Sequence, residues 1–333
     1  MFGNGSSFHQ RSRYSAIEFG LIICIKYVHP VTVVIGIFGN VVSLIVFPRL
    51  WRRIDSASVQ YLFLLACTDT CVLFSMGILW WLDHLLIVVG TPVHILVTNF
   101  LCKTTVYLWW GAAWLSAWII LSFSVERCVS VWAPFRRTSM TTSRRKRFLV
   151  VLVVVALVTN VELPAVMGII RGAQTEIPHC EWNSRILPVW LRVPLGLKGH
   201  VYNHTIPWIA VLTLNIFIII GVRRSQNAWS ESKQTTGSDK NERKCIINLL
   251  AVSTVYFVFI TPYNITAALF HHLARAFDGW SHPDVTHFLW VLNSFATTVS
   301  CFNYALNFVI YAFSFDKYRD EVKALFALTR KHL

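Results

Sequence analysis

Charge is what this sequence has least of. Only 14% of its 333 residues are Asp, Glu, Lys or Arg, against 55% that are hydrophobic, and the mean hydropathy is +0.54. A chain of this length with so few charges cannot maintain a soluble surface. Acid is scarcer than base, 16 side chains against 30, which leaves a net charge of +14. Such an excess would suit nucleic acid, but the basic residues flank long apolar stretches and no soluble basic domain gathers them, so nucleic-acid binding is excluded. The marks of an enzyme are missing too. There is no nucleophile elbow, no phosphate-cradling glycine loop and no pair of catalytic carboxylates, and His271, His272, His282 and His287 lack the Cys or acid spacing of a metal site. Met1 to Arg13 is polar, without the apolar core of a cleavable signal, so the first span is expected to do its own targeting.

What is there is a series of seven long apolar stretches, 22–47, 58–86, 99–132, 147–170, 190–222, 245–270 and 285–313. Each is long enough to cross a hydrocarbon core of about 30 Å. The expected fold is an all-α membrane protein, a bundle of seven transmembrane helices. Twenty-one of the 30 Lys and Arg fall on one side of these stretches, which puts the N-terminus outside and the C-terminus inside. The chain then divides into an outer tail (1–21), a membrane domain (22–313) and an inner segment (314–333). In that segment Phe315, Tyr318, Val322, Leu325, Phe326 and Leu328 predict a short amphipathic helix on the inner lipid surface. Asn4-Gly5-Ser6 is a glycosylation sequon on the outer tail, whereas Asn203-His204-Thr205 and Asn264-Ile265-Thr266 fall in or beside predicted helices, out of reach. The polar stretch 225–242, with six Ser and Thr residues, reads as a flexible inner linker. Cys67, Cys71, Cys128, Cys245 and Cys301 read as small apolar packing residues.

The third span is the most informative. From Cys102 to Arg127 it covers about 37 Å at 1.5 Å per residue, so the cysteine and the arginine sit at opposite interfaces. Stepping back from Arg127 by fours and threes gives Phe123, Ile120, Ser116, Ala113 and Trp109, one stripe that is apolar except for Ser116. The second span holds Asp69 at mid-membrane, where a carboxylate must turn inward and find partners. The seventh carries Asn293, Thr297, Ser300, Asn303 and Asn307 on one face, which must also turn inward.

Cys102, the triplet Glu126-Arg127-Cys128 and the following Ala133-Pro134-Phe135 resemble the third helix of a rhodopsin-like G protein-coupled receptor. Gly39-Asn40, Leu65-Ala66-Cys67-Thr68-Asp69, Pro207 of span five and Pro262 of span six are similar to further signatures of that family, the two prolines being expected kinks. Three departures are also present: no tryptophan in span four, Phe259-Ile260-Thr261-Pro262 without the usual tryptophan, and Asn307-Phe308 where the family writes Asn-Pro. Together they resemble the FMRFamide-type neuropeptide receptors of invertebrates and their vertebrate orphan relatives.

The resemblance implies a plasma-membrane receptor with an extracellular ligand, a heterotrimeric G protein, an arrestin and a receptor kinase as partners, set in a lipid bilayer. It implies a disulfide from Cys102 to Cys180, the two cysteines that fall at the outer interface; two free thiols are the alternative. It carries a sodium ion, an allosteric modulator rather than a cofactor, onto Asp69, Ser116, Asn303 and Asn307 beside Asn40; a water-filled network is the alternative. It also sets Arg127 against Glu242, twenty residues before Pro262, as a resting-state salt bridge, with Glu126 and Tyr311 as further switch residues. Glu242 could instead be one charge in a solvated run, and Glu126 could fold back on Arg127, although adjacent helix residues do not face one another.

At the outer end, Trp109 stands where amine receptors need an aspartate. No lysine lies between Val285 and Phe315 for a retinal Schiff base. What remains is an aromatic cup of Trp80, Trp81, Trp109, Trp110 and Tyr263, with Asn293, Thr297 and the loop acid Glu181 as polar points. Such walls suit a short peptide carrying Phe, Trp or Arg. A non-peptide ligand, lipid or chemosensory, is the alternative. A transporter would show internal repeats or paired midplane charges, and neither is evident.

Overall fold

The computed structural model describes residues 16–53, 57–82, 98–133, 140–171, 178–182, 198–230, 237–276 and 283–331. Asn4 and most of the first outer loop lie outside them. Helix α1 runs Ala16–Ile23, through a π-helical turn Cys24–Val28, into His29–Arg53; α2 runs Ala57–Val72 and continues through a π-helical turn Leu73–Trp80. Helix α3 is Asn99–Trp132 and α4 is Thr142–Thr159, followed by one turn, Leu163–Val166. Strands β1 (Met167–Arg171) and β2 (Pro178–Trp182) form an antiparallel hairpin. Helix α5 opens with a π-helical stretch Lys198–Thr205 and runs Ile206–Ser230; α6 is Gly237–Ala276; α7 is Pro283–Ala305 and then Asn307–Ser314; α8 is Asp316–Lys331.

Six of these helices are each long and apolar enough to cross a bilayer, and Phe288–Ser314 completes the seven, with α8 turning 100° away from it. Apolar side chains left exposed at helical spacing mark the lipid faces, for example Val150, Val151, Val154 and Val158 on α4 and Ile209, Ile216 and Ile220 on α5. Lipid tails are as apolar as these side chains, so close packing and interhelical hydrogen bonds hold the helices together. The buried core runs the height of the bundle, from Leu73 and Val106 through Trp114, Ile119 and Ile120 to Phe47, Leu249 and Tyr311.

Three expectations need correction. Span four ends as a helix at Val166, and residues 167–170, counted into it, are strand. Pro164 cannot donate its i→i−4 bond, and the chain is already extended at Met167. The stretch 225–242 is mostly helix, with α5 reaching Ser230 and α6 starting at Gly237. Helix α7 breaks before Asn307 although no proline is there: Leu306 accepts from the amides of both Val309 and Ile310, at 3.0 and 3.1 Å. Two contacts hold the segment beyond the break. Asn307 is drawn to Asp69, and Phe308 lies against Gly39, where a Cβ would come within 1.9 Å of the ring. Gly36, one turn earlier, admits Ala305, whose Cα would lie 2.8 Å from a Cβ there, so this side of α1 is bare to let α7 in.

Helix α8 is tied to the bundle by its one buried aromatic residue. Tyr318 packs on Phe47 and Tyr311, with ring centroids 5.4 and 5.7 Å away, and its hydroxyl is 2.7 Å from that of Ser43. Burial pushes this phenol's pKa up, against the pull of the Ser43 hydrogen bond, so it stays protonated.

Candidate receptor site

The outer end is built on α3. Cys102, buried in its first turn, is disulfide-bonded to Cys180 of β2. Opposite Cys180 in the hairpin register stands Ile169, whose amide donates to Asn99 Oδ1 at 3.0 Å. One covalent and one hydrogen bond thus hold the hairpin over the outer end of α3. The side chain of Glu181 lies outside the described residues.

Below the hairpin the predicted aromatic cup is largely assembled. The Trp80 and Trp109 rings are 5.5 Å apart, and Trp109 and Trp110 are 5.9 Å apart. Beneath them is a cavity lined by Met76, Trp109, Trp110, Ala113, Ile260, Tyr263, Ser300 and Tyr304. About 10 Å³ of it is open to the centre of a water molecule, room for roughly one. Trp81 does not join the cup. It stacks on His29 of α1 at 5.3 Å and donates to the Ile25 carbonyl at 3.0 Å. Asn293 and Thr297 sit outside the lining: Asn293 Oδ1 accepts from Thr266 at 3.2 Å, and Thr297 donates to the Asn293 carbonyl at 2.8 Å.

The mid-membrane cluster centres on Asp69, which is fully buried. Ser116 Oγ donates to its Oδ1 at 2.8 Å and Asn307 Nδ2 to its Oδ2 at 2.6 Å. Asn40 donates to the Tyr304 carbonyl at 3.0 Å. Both side-chain polar atoms of Asn303, and the Oδ1 atoms of Asn40 and Asn307, are buried without a hydrogen-bond partner. Three side-chain amides with four buried polar atoms left unpartnered are costly in lipid.

The two prolines expected as kinks lie in α5 and α6. Pro207 is buried at the start of the regular part of α5. Pro262 lies inside α6, where its neighbour Thr261 bonds the Phe257 carbonyl and accepts from Trp208 Nε1 of α5 at 2.9 Å.

At the inner end an arginine of α4 takes the acid of the triplet. Glu126 does not turn to Arg127. Its carboxylate is gripped by Arg145 of α4, with Nη2 to Oε1 at 2.6 Å and Nε to Oε2 at 3.1 Å. The side chains of Arg145 and Glu126 are only 4% and 10% exposed. The same guanidinium donates to the Met140 carbonyl at 2.8 Å. Arg127 instead lies 5.4 Å over the Phe123 ring, its Nε buried without a partner. The Glu242 side chain lies outside the described residues. Tyr311 is buried edge-on to Phe47 at 5.4 Å.

Two more arrangements tie neighbouring helices together. His29, buried on α1, donates from Nε2 to the Gly77 carbonyl at 3.0 Å, since a carbonyl only accepts, and turns Nδ1 to Thr298 Oγ1 at 3.3 Å. Glu162 is paired with Lys198, which also bonds the Thr159 carbonyl at the end of α4.

An α3 with a disulfide at its outer end, a buried acid beside its middle and an arginine at its inner end agrees with a comparison of families. The family model for seven-transmembrane receptors of the rhodopsin family matches residues 39–311. The chain belongs to that family. Among its relatives are the FMRFamide receptor of Drosophila melanogaster, 24% identical over 298 residues (86% of this chain, 50% of that protein), and the sex peptide receptor of the same organism, 22% identical over 234 residues (64% and 52%). The lysophosphatidic acid receptor 6 of Gallus gallus is 22% identical over 292 residues (85% and 87%). This rhodopsin-family chain spans about half the length of the two Drosophila relatives.

Proposed function

We propose that this receptor binds a short peptide at the outer ends of α2, α3, α6 and α7 and, in response, activates a heterotrimeric G protein at its inner face. The observation that carries this reading is the aromatic cavity at Trp109, Trp110 and Tyr263, beneath a hairpin bonded to the same helix that carries Arg127 near its inner end. Aromatic walls with a few hydroxyls suit Phe or Trp side chains and a peptide amide. The names of the two Drosophila relatives point the same way. A phosphate-bearing lipid, the ligand that the Gallus relative's name indicates, fits less well, because the described lining offers no cation to meet a phosphate.

Ligand contact is assigned to Trp80, Trp109, Trp110 and Tyr263, with Asn293, Thr297 and Glu181 at the rim. The polar cluster suits a sodium ion. Asp69, Ser116, Asn303 and Asn307 would hold it through hard oxygen donors, and the unpartnered amide oxygen of Asn303 supports that assignment. When bound, the ion would neutralise the buried carboxylate. Arrestin recruitment by receptor-kinase phosphorylation is assigned to the Ser and Thr residues of 225–238, six acceptors gathered in one polar inner stretch.

The test is guanine-nucleotide exchange in membranes carrying the receptor, exposed to a library of short amidated peptides. Exchange driven by a subset is the expected result. Solute uptake or ionic current without exchange would sink the reading.

A further inference from the structure

We infer that Arg145 governs how strongly the resting receptor couples, by holding the Glu126 carboxylate away from Arg127. The inference rests on the G protein-coupling reading above and adds a residue to it.

Glu126 and Arg127 are neighbours in sequence, and a free carboxylate beside a free guanidinium at a part-wet interface would sample contact with it. Here the carboxylate is not free. Arg145 meets both of its oxygens in a fork, the geometry in which arginine binds carboxylate most strongly. The Tyr61 hydroxyl faces the same acid. Arg145 is itself anchored by the Met140 carbonyl, just before α4 begins, so the pair joins α3 to the start of α4 and to the chain entering it. Arg127 is left with a buried Nε that has no partner and with the face of Phe123, itself stacked on Tyr61 at 5.1 Å. Among the described residues no carboxylate lies within ion-pair distance of it.

A guanidinium held in this way keeps its remaining donors for an incoming partner. Removing Arg145 strands a charged carboxylate one residue from Arg127, and that carboxylate is then driven to take Arg127 as its counter-ion. Arg145 is therefore a positioning residue, acting on coupling only through Glu126. This separates it from a brace, whose loss would harm coupling whatever stands at position 126.

The test needs no ligand. Agonist-independent nucleotide exchange is measured in membranes supplied with purified G proteins of each class and normalised to tagged receptor at the surface. Arg145→Ala is expected to lower it on the order of fivefold, the effect of one part-wet ion pair on a two-state equilibrium. Arg145→Ala/Glu126→Gln, with no carboxylate left to capture Arg127, is expected to recover it, and Arg145→Lys to keep part of it. Equal loss in Arg145→Ala and the double variant would mean a structural brace and overturn the inference, as would wild-type exchange in Arg145→Ala. If Arg145→Ala fails to reach the surface, the double variant alone decides: exchange near the wild-type level supports the inference and loss of exchange overturns it. Absence of ligand-free exchange from every variant, wild type included, overturns this inference, whereas the coupling reading falls only if the peptide library drives no exchange either.

Discussion

Residue 39 shows how much a single position carries. Any side chain there meets the Phe308 ring, and overpacking of this kind costs about 1–3 kcal/mol. Gly39→Ala should lower the thermal stability of detergent-solubilised receptor, and Gly39→Ala/Phe308→Ala should recover much of the loss. An equally unstable double variant would show that Phe308 is not what Gly39 accommodates. Asp69 carries a second test. Sodium is expected to depress agonist-independent exchange relative to choline by roughly fivefold, the scale of a weak allosteric coupling, and Asp69→Asn should abolish the difference. The inward position of Asp69 was legible in the sequence, because an acid at mid-membrane must have partners; that Ser116 and Asn307 stand beside it was implied only by the family resemblance. Arg145 was not legible. It is one of four consecutive basic residues, Arg144 to Arg147, which between them cover a whole turn. One of the four had to face the bundle, but only packing tells which. His29 was hidden for a related reason, since its partners are a backbone carbonyl on α2 and a hydroxyl on α7, and neither leaves a pattern near it in the chain.

Among the elements, the hairpin depends most on one bond. Cys102→Ala or Cys180→Ala removes the cross-link between β2 and α3, and loss of such a link costs about 2–4 kcal/mol. Both variants should lose surface expression and peptide-driven exchange, and mass spectrometry of active wild-type receptor should find the two cysteines joined. Free thiols in active receptor would refute this. Apolar length located the helices well and their ends poorly. Span four overran because Met167 to Ile170 is as apolar as the helix before it, and hydropathy does not distinguish a strand from a helix over four residues. The inner stretch 225–242 erred the other way: polar composition suggested a linker, yet α5 and α6 carry their backbone hydrogen bonding on into it, since polar residues other than Gly and Pro do not end a helix. The break in α7 was invisible because its usual cause, a proline, is absent.

At the scale of the whole receptor, the prediction concerns the balance between resting and active states. If Glu242 holds Arg127 at rest, Glu242→Ala removes a contact made only in the inactive form, and only such differential contacts shift the equilibrium. An exposed pair is worth on the order of 1 kcal/mol, so ligand-free exchange should rise roughly fivefold. Arg127→Ala should abolish exchange with or without ligand. Unchanged exchange in Glu242→Ala at matched surface expression would leave Glu242 a solvated charge. The close seat of Phe308 on α1 also makes positions 39 and 308 interdependent. A larger residue at 39 has room only if the ring at 308 moves or shrinks, and a smaller residue at 308 leaves a notch in α1 that a side chain at 39 could fill. Each of the two positions therefore sets the menu of the other.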